Sequence, residues 1–390
     1  VALIAVVALS VTGACSSLSR GPEPKPTPTL SPTPSAAGWQ PGDPVIVRPD
    51  AVPDIVGLNY HPLWDAMDAE TRSRVLDGIV AAGVDWVRLD IGWPNIQPTG
   101  PDSYDLAKGV PEIDDRIAEA QQRGLRVLLM FYWAPAWSSG TGNKNGRPGD
   151  PDDYARAAAW VADRYSGQLG EDLRIDALEL WNEPDLERFW TSEPASTRVS
   201  DFATLVRTAG RAVKAANPAL TVVVGGISEL DIGWLKQFYD ADPGPGTSYD
   251  VLGVHTSPSP GDSPPDHLET AHPEYSMRTI TQIGETMTAH GDPSPIWVTE
   301  FGWSTHRNAP VVTQAWQRGV SKQEQADYLL ASMGVFAAEP RVAAVFWYNA
   351  WSPPIGDEHM DGFGLLDADF RRKPAFFVMR CLAAKICGPN

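Results

Sequence analysis

The chain is poor in cysteine and in positive charge, and both shortages narrow what it can do. Three cysteines in 390 residues, Cys15, Cys381 and Cys387, are too few for a disulfide-stapled scaffold or a cysteine-held zinc cluster. Against 49 acidic residues stand 31 lysines and arginines, a formal net charge of −18. A polyanion is repelled by such a surface, which argues against nucleic acid and anionic membrane surfaces and leaves neutral or cationic ligands. The seven histidines are scattered with no His-Glu-x-x-His, so no metal site is expected. Also missing are the Gly-x-Ser-x-Gly elbow of serine hydrolases and a glycine-rich phosphate turn after an early strand. Serine chemistry is disfavoured, and no cofactor is expected.

What is present reads as a soluble enzyme: 43% hydrophobic and 21% charged residues, with 15 tryptophans whose flat faces suit a ring-shaped ligand. Val1 to Ala14 is an apolar run too short to span a bilayer and shaped like a signal-peptide core. Its end, Val11-Thr12-Gly13-Ala14-Cys15, resembles the lipobox of bacterial lipoproteins. The resemblance implies export, acylation of Cys15 and anchoring to the outer face of the bacterial membrane, the only membrane contact expected; ordinary secretory cleavage nearby is the alternative. Export permits a disulfide between Cys381 and Cys387, with two buried thiols as the other reading. Between residues 16 and 49, Pro22, Pro24, Pro26, Pro28, Pro32 and Pro34 alternate with polar residues, an extended spacer that buries no core. The folded domain is expected over residues 50–390.

From Ile55 onward, short apolar strands alternate with longer amphipathic segments. Strands are expected at Ile55–Tyr60, Val84–Ile91, Arg126–Phe131, Ile175–Glu183, Thr221–Gly225, 250–255, 296–301 and Val342–Tyr348. Helices are expected at Ala69–Ala82, 111–123, 151–165, 200–216, 231–241, 273–290, 321–338 and 373–385. Eight such units imply the α/β class and a closed parallel (β/α)8 TIM barrel, with an open doubly wound sheet as the runner-up.

Catalytic groups in such barrels sit where strands end, and two carboxylates fall there. Glu183 closes Leu178-Glu179-Leu180-Trp181-Asn182-Glu183-Pro184, and Glu300 closes Ile296-Trp297-Val298-Thr299-Glu300. Alternation puts Glu179, Trp181 and Glu183 on one face of the fourth strand, with Glu179 deeper as a hydrogen-bonded interior acid. The same rule turns Arg88 and Asp90 of the second strand inward, then Gly253 and His255 of the sixth, then Ile296, Val298 and Glu300 of the seventh. An arginine beside a carboxylate favours the anion a nucleophile needs. His61, His255, Trp133, Trp181, Trp303 and Trp347 lie near strand ends and are candidates to line a subsite, with structural packing as the competing role.

Trp-Asn-Glu-Pro and Thr-Glu-Phe-Gly resemble the motifs of clan A retaining glycoside hydrolases, nearest to families 39 and 5. The closing Gly364-Leu365-Leu366-Asp367 and Lys373-Pro374-Ala375 are similar to the ends of many of these barrels. The resemblance implies a carbohydrate substrate, Glu183 as acid/base, Glu300 as nucleophile, Asn182 on the sugar 2-hydroxyl and Arg88 orienting Glu300; to hold its proton in that role, Glu183 is expected in the less polar, more anionic setting. Many relatives carry His-x-Tyr after the sixth strand, where this chain reads His255-Thr256-Ser257. A non-catalytic carbohydrate-binding barrel is the alternative class.

Overall fold

The computed structural model describes residues 51–306 and 314–385. Strands β1 (Ile55–Tyr60), β2 (Trp86–Gly92), β3 (Arg126–Tyr132), β4 (Ala177–Leu180), β5 (Thr221–Ile227), β6 (Val251–Thr256), β7 (Ile296–Phe301) and β8 (Val342–Trp347) are all parallel. They pair in chain order and close into a barrel through β1 and β8. Outside them run α1 (Ala69–Ala81), α2 (Trp93–Ile96), α3 (Gly109–Gln121), α4 (Pro151–Arg164), α5 (Arg198–Ala216), α6 (Ile232–Asp240), α7 (Ile280–Ala289), α8 (Lys322–Phe336) and α9 (Pro374–Ala384). The expected (β/α)8 TIM barrel is the fold. None of the described helices is long and apolar enough to cross a membrane.

Local chemistry sets the helix starts. Asp68, Asp150 and Asp231 accept backbone N–H groups of the first turns of α1, α4 and α6, and Ser321 with Glu324 forms a reciprocal capping box on α8. The expected seventh helix is shortened: Pro273–Tyr275 and Met277–Thr279 form separate 3-10 turns before α7. Pro273, which has no N–H, starts the first of these turns.

Inside the barrel, Trp86, Leu128, Ala177, Val223, Val251, Trp297, Ala344 and Phe346 form an apolar floor. Gly57 of β1 adds no side chain because the Phe346 ring fills that space, so even a methyl group would overlap it. Each large floor residue contributes roughly 2 kcal/mol by leaving water. That gain offsets part of the several kcal/mol each buried ion costs in the polar layer above.

Two strands depart from simple alternation. Trp297 lies in the floor and Thr299 donates to the interior acid Glu179, while Ile296 and Val298 pack outward, the reverse of the expected parity. An extra residue in β7 against both neighbours, between Val298 and Phe301, then returns Glu300 to the interior. On β4 the strand ends at Leu180, and Trp181 takes a left-handed backbone conformation at φ 77°. The alternation expected to carry through to Glu183 therefore stops there. Trp181 turns away from the axis, and Asn182 turns toward it.

At the rim, Lys373, just before α9, ties two loops together. Its Nζ donates to Thr305 Oγ1 (2.9 Å), Gly362 O (2.7 Å) and Ser352 Oγ (3.3 Å), joining the segments after β7 and β8. Cys381 on α9 is disulfide-bonded. Its expected partner Cys387, the spacer and Cys15 lie outside the described residues.

Candidate active site

The polar layer is built around Arg88, which is 1% exposed. Its Nε donates to Glu179 Oε2 (2.5 Å), Nη1 to Glu300 Oε1 (2.5 Å) and Asn59 Oδ1 (3.0 Å), and Nη2 to Asn182 Oδ1 (2.8 Å). Acceptors from β1, from β4 and the residues just after it, and from β7 thus converge on one guanidinium fork carried by β2, whose planar donors fix each of them. Burial opposes its charge, but Glu179 and Glu300 outweigh that and raise its pKa further.

Glu179 is the interior acid the pattern called for. It is fully buried, and its Oε1 accepts from Gly226 N at 3.0 Å and Thr299 Oγ1 at 2.9 Å. Gly226 sits where β5 carries an extra residue against β6; a side chain there would overlap the His255 ring. The Gly226 carbonyl also accepts from Glu183 N at 3.0 Å, so the same irregularity seats the acid beneath it and the carboxylate above.

Glu183 stands at the mouth with a strained φ of 42° and 8% exposure. His255 Nδ1 lies 3.1 Å from its Oε1, and Arg188 Nη2 donates to its Oε2 at 3.2 Å. His255 Nε2 is 3.9 Å from Glu300 Oε1, and one donor atom from each of Glu183, His255 and Glu300 lies within 4.8 Å of the others. These donor types suit a cation, but Arg88 and Arg188 already place positive charge on both carboxylates.

The electrostatics correct one expectation. Burial pushes the Glu183 carboxyl up, but the His255 hydrogen bond and charge, followed by Arg188, outweigh it and hold the pKa below the usual carboxylate range. Reciprocally, burial would discharge His255, yet Glu300 and Glu183 together raise its pKa. The groups that touch Glu183 are the basic side chains His255 and Arg188 rather than a carboxylate, and at 3.1 Å Glu183 and His255 titrate as a pair rather than singly.

Of the aromatic candidates, Trp181, Trp303 and Trp347 do not line the mouth: all are at most 1% exposed, packed between barrel and helices. Their indole N–H groups donate to Phe189, Ser263 and Phe363 carbonyls. Trp133 keeps partial exposure at the end of β3, its ring tilted 33° against Tyr132 at 4.1 Å with Lys144 over its ring. His61 is buried behind the rim, 2.8 Å from Asp90 Oδ1 and stacked on Trp64.

Three participants escaped the sequence reading. Asn59 follows from parity, lying two residues beyond Gly57 on the inward face of β1. Tyr348, just past β8, has its hydroxyl pKa raised well above normal, first by burial and then by Glu300, Asp90 and Glu183. It brings a phenol to these acids where no tyrosine follows β6. Arg188 carries no signal in the sequence beyond being a basic residue near Glu183.

Residues 45–350 match the model of the cellulase family, glycosyl hydrolase family 5. The chain belongs to glycosyl hydrolase family 5. Solved structures share the fold with it. One is a family 39 glycoside hydrolase from the gut symbiont Bacteroides cellulosilyticus WH2, 20% identical at TM-score 0.62, the match covering 87% of this chain and 65% of that one. Another is an exo-beta-1,4-mannosidase from Opitutaceae bacterium strain TAV5, 18% identical at 0.60, covering 86% and 59%. A third is a monomeric beta-xylosidase from Caulobacter crescentus CB15, 17% identical at 0.61, covering 88% and 69%. The family 5 chain thus spans less than two thirds of the first two. No curated protein matches the sequence.

Proposed function

We propose that this family 5 domain hydrolyses O-glycosidic bonds of an oligo- or polysaccharide with retention of anomeric configuration. One observation carries the reading: carboxylate oxygens of Glu183 and Glu300 approach within 4.8 Å at the ends of β4 and β7. Retaining glycosidases hold their carboxyls about 5–5.5 Å apart, whereas inverting ones need roughly 6.5–9.5 Å to admit a water.

In the first step a Glu300 oxygen bonds the anomeric carbon as the glycosidic bond breaks, and the leaving oxygen takes a proton from the Glu183–His255 unit. Asn182, fixed by Arg88, offers its amide N–H to the sugar beside that carbon. In the second step water attacks the same carbon, gives its proton back to Glu183 and releases Glu300. Arg88 remains a fixed cation beside the attacking carboxylate throughout.

The test is hydrolysis of aryl β-glucosides, β-mannosides and β-xylosides and of plant and bacterial polysaccharides, with the first-formed anomer read by proton NMR. Retention is expected. A first product of inverted configuration overturns the covalent route, and sugar binding without turnover across the panel moves the reading to a binding barrel. We further propose export with a lipid on Cys15, supported by the apolar run before it. Mass spectrometry of the mature N-terminus checks this: an unmodified residue there rejects the anchor.

A further inference from the structure

Arg188 takes no part in the two steps above, yet it holds the oxygen of Glu183 that faces outward. The other oxygen is engaged from inside by His255, which is 1% exposed. Arg188 comes from the opposite direction, with 63% of its side chain exposed against 11% for Glu183. The chain on either side of it is held: Leu186 N bonds Glu183 O, Trp190 N bonds Leu186 O, and Trp181 Nε1 bonds Phe189 O. The loop is thus anchored on both sides of Arg188, whose own side chain is mostly exposed.

A carboxylic acid that protonates a glycosidic oxygen must present that oxygen with an O–H. A guanidinium N–H pointed at the same atom favours the anion and occupies the approach. The arm's alternative surroundings are polar. Glu229, half-buried with φ 54°, lies within electrostatic reach of Arg188, Glu183, Asp231 and Glu274, and the buried Asp185 lies within reach of Glu183. The Phe189 ring lies 5.1 Å from the guanidinium.

We propose that Arg188 is a leaving-group-side residue: it covers the outward oxygen of Glu183 in the free enzyme and turns onto the hydroxyls of the departing sugar when substrate binds, uncovering the acid. This rests on the reading of Glu183 as acid/base. The ligand class is a neutral, hydroxyl-bearing sugar ring, since a guanidinium donates to hydroxyls and the surrounding carboxylates repel an anionic one. Arrival of the leaving group and readiness of the acid are thereby coupled.

The test compares Arg188→Met and Arg188→Lys with the unaltered enzyme on two probes of the sugar that the panel selects, its β-1,4-linked tetraose and its β-glycosyl fluoride. Fluoride departs without a proton and carries no hydroxyls. With Arg188→Met, kcat/KM is expected to fall about tenfold more on the tetraose than on the fluoride, mostly through KM, with partial recovery in Arg188→Lys. Without substrate, NMR titration of His255 is expected to show the shared proton leaving about half a unit higher in Arg188→Met. Equal losses on both probes, or an unmoved titration in a variant of unchanged melting temperature, overturn the proposal. Failure of the underlying reading looks different: Glu183→Ala then shows no dependence on leaving group, whatever Arg188 does.

Discussion

Glu300→Gln is expected to lower kcat/KM on any cleavable glycoside by roughly 100,000-fold, about 7 kcal/mol of transition-state stabilisation. The amide cannot bond the anomeric carbon, so the covalent route closes. The substitution otherwise preserves the site: its carbonyl oxygen still accepts from Arg88 Nη1, and Glu179 still balances the buried guanidinium at 2.5 Å. The melting temperature is therefore expected to stay within a few degrees, which separates lost chemistry from lost fold. Activity within tenfold of the unaltered enzyme would mean that the attacking group lies elsewhere.

Glu183→Ala should split substrates by leaving group. With a poor leaving group such as an alkyl alcohol, losing the proton donor costs roughly 1,000-fold in kcat/KM. With 2,4-dinitrophenolate, which departs as the anion, bond breaking is expected to lose less than about tenfold, and hydrolysis of the glycosyl-enzyme becomes limiting. Azide should then rescue turnover and appear in the product, because an anion needs no base. Uniform losses on both leaving groups would remove Glu183 from the acid role. The pH dependence has a definite sign. His255 is held protonated above its ordinary range and Glu183 ionised below its own, so the pair carries its proton past the usual histidine pKa of about 6.5. The alkaline limb of kcat/KM should accordingly lie above that value.

Much of the barrel was legible because each strand and helix buries its own apolar face, a pattern present within a dozen residues. Glu183 and Glu300 stood out because Pro184 and Gly302 follow them closely; β7 does stop at Phe301, just before Gly302, whereas β4 already stops at Leu180, short of Pro184. The failures share one cause: the backbone leaves its regular repeat where function gathers. Trp181 adopts positive φ and breaks the alternation of β4; the extra residue of β7 inverts the parity of Ile296 and Val298 yet still delivers Glu300. Neither irregularity leaves a mark in residue type. Arg188 lay beyond sequence reasoning for a further reason: its contact with Glu183 depends on a loop rather than on a repeat.

The apolar floor has a further consequence. With Trp86, Trp297 and Phe346 in the apolar floor, the Arg88–Glu179 pair above it is shut away from solvent, at 1% and 0% side-chain exposure. Added salt shortens the reach of surface charge to about 8 Å at physiological strength but screens buried pairs far less. The net charge of −18 and the charge of the site are thus two separate systems. One governs which molecules approach and fades in brine; the other, centred on the buried Arg88, governs the chemistry and fades far less.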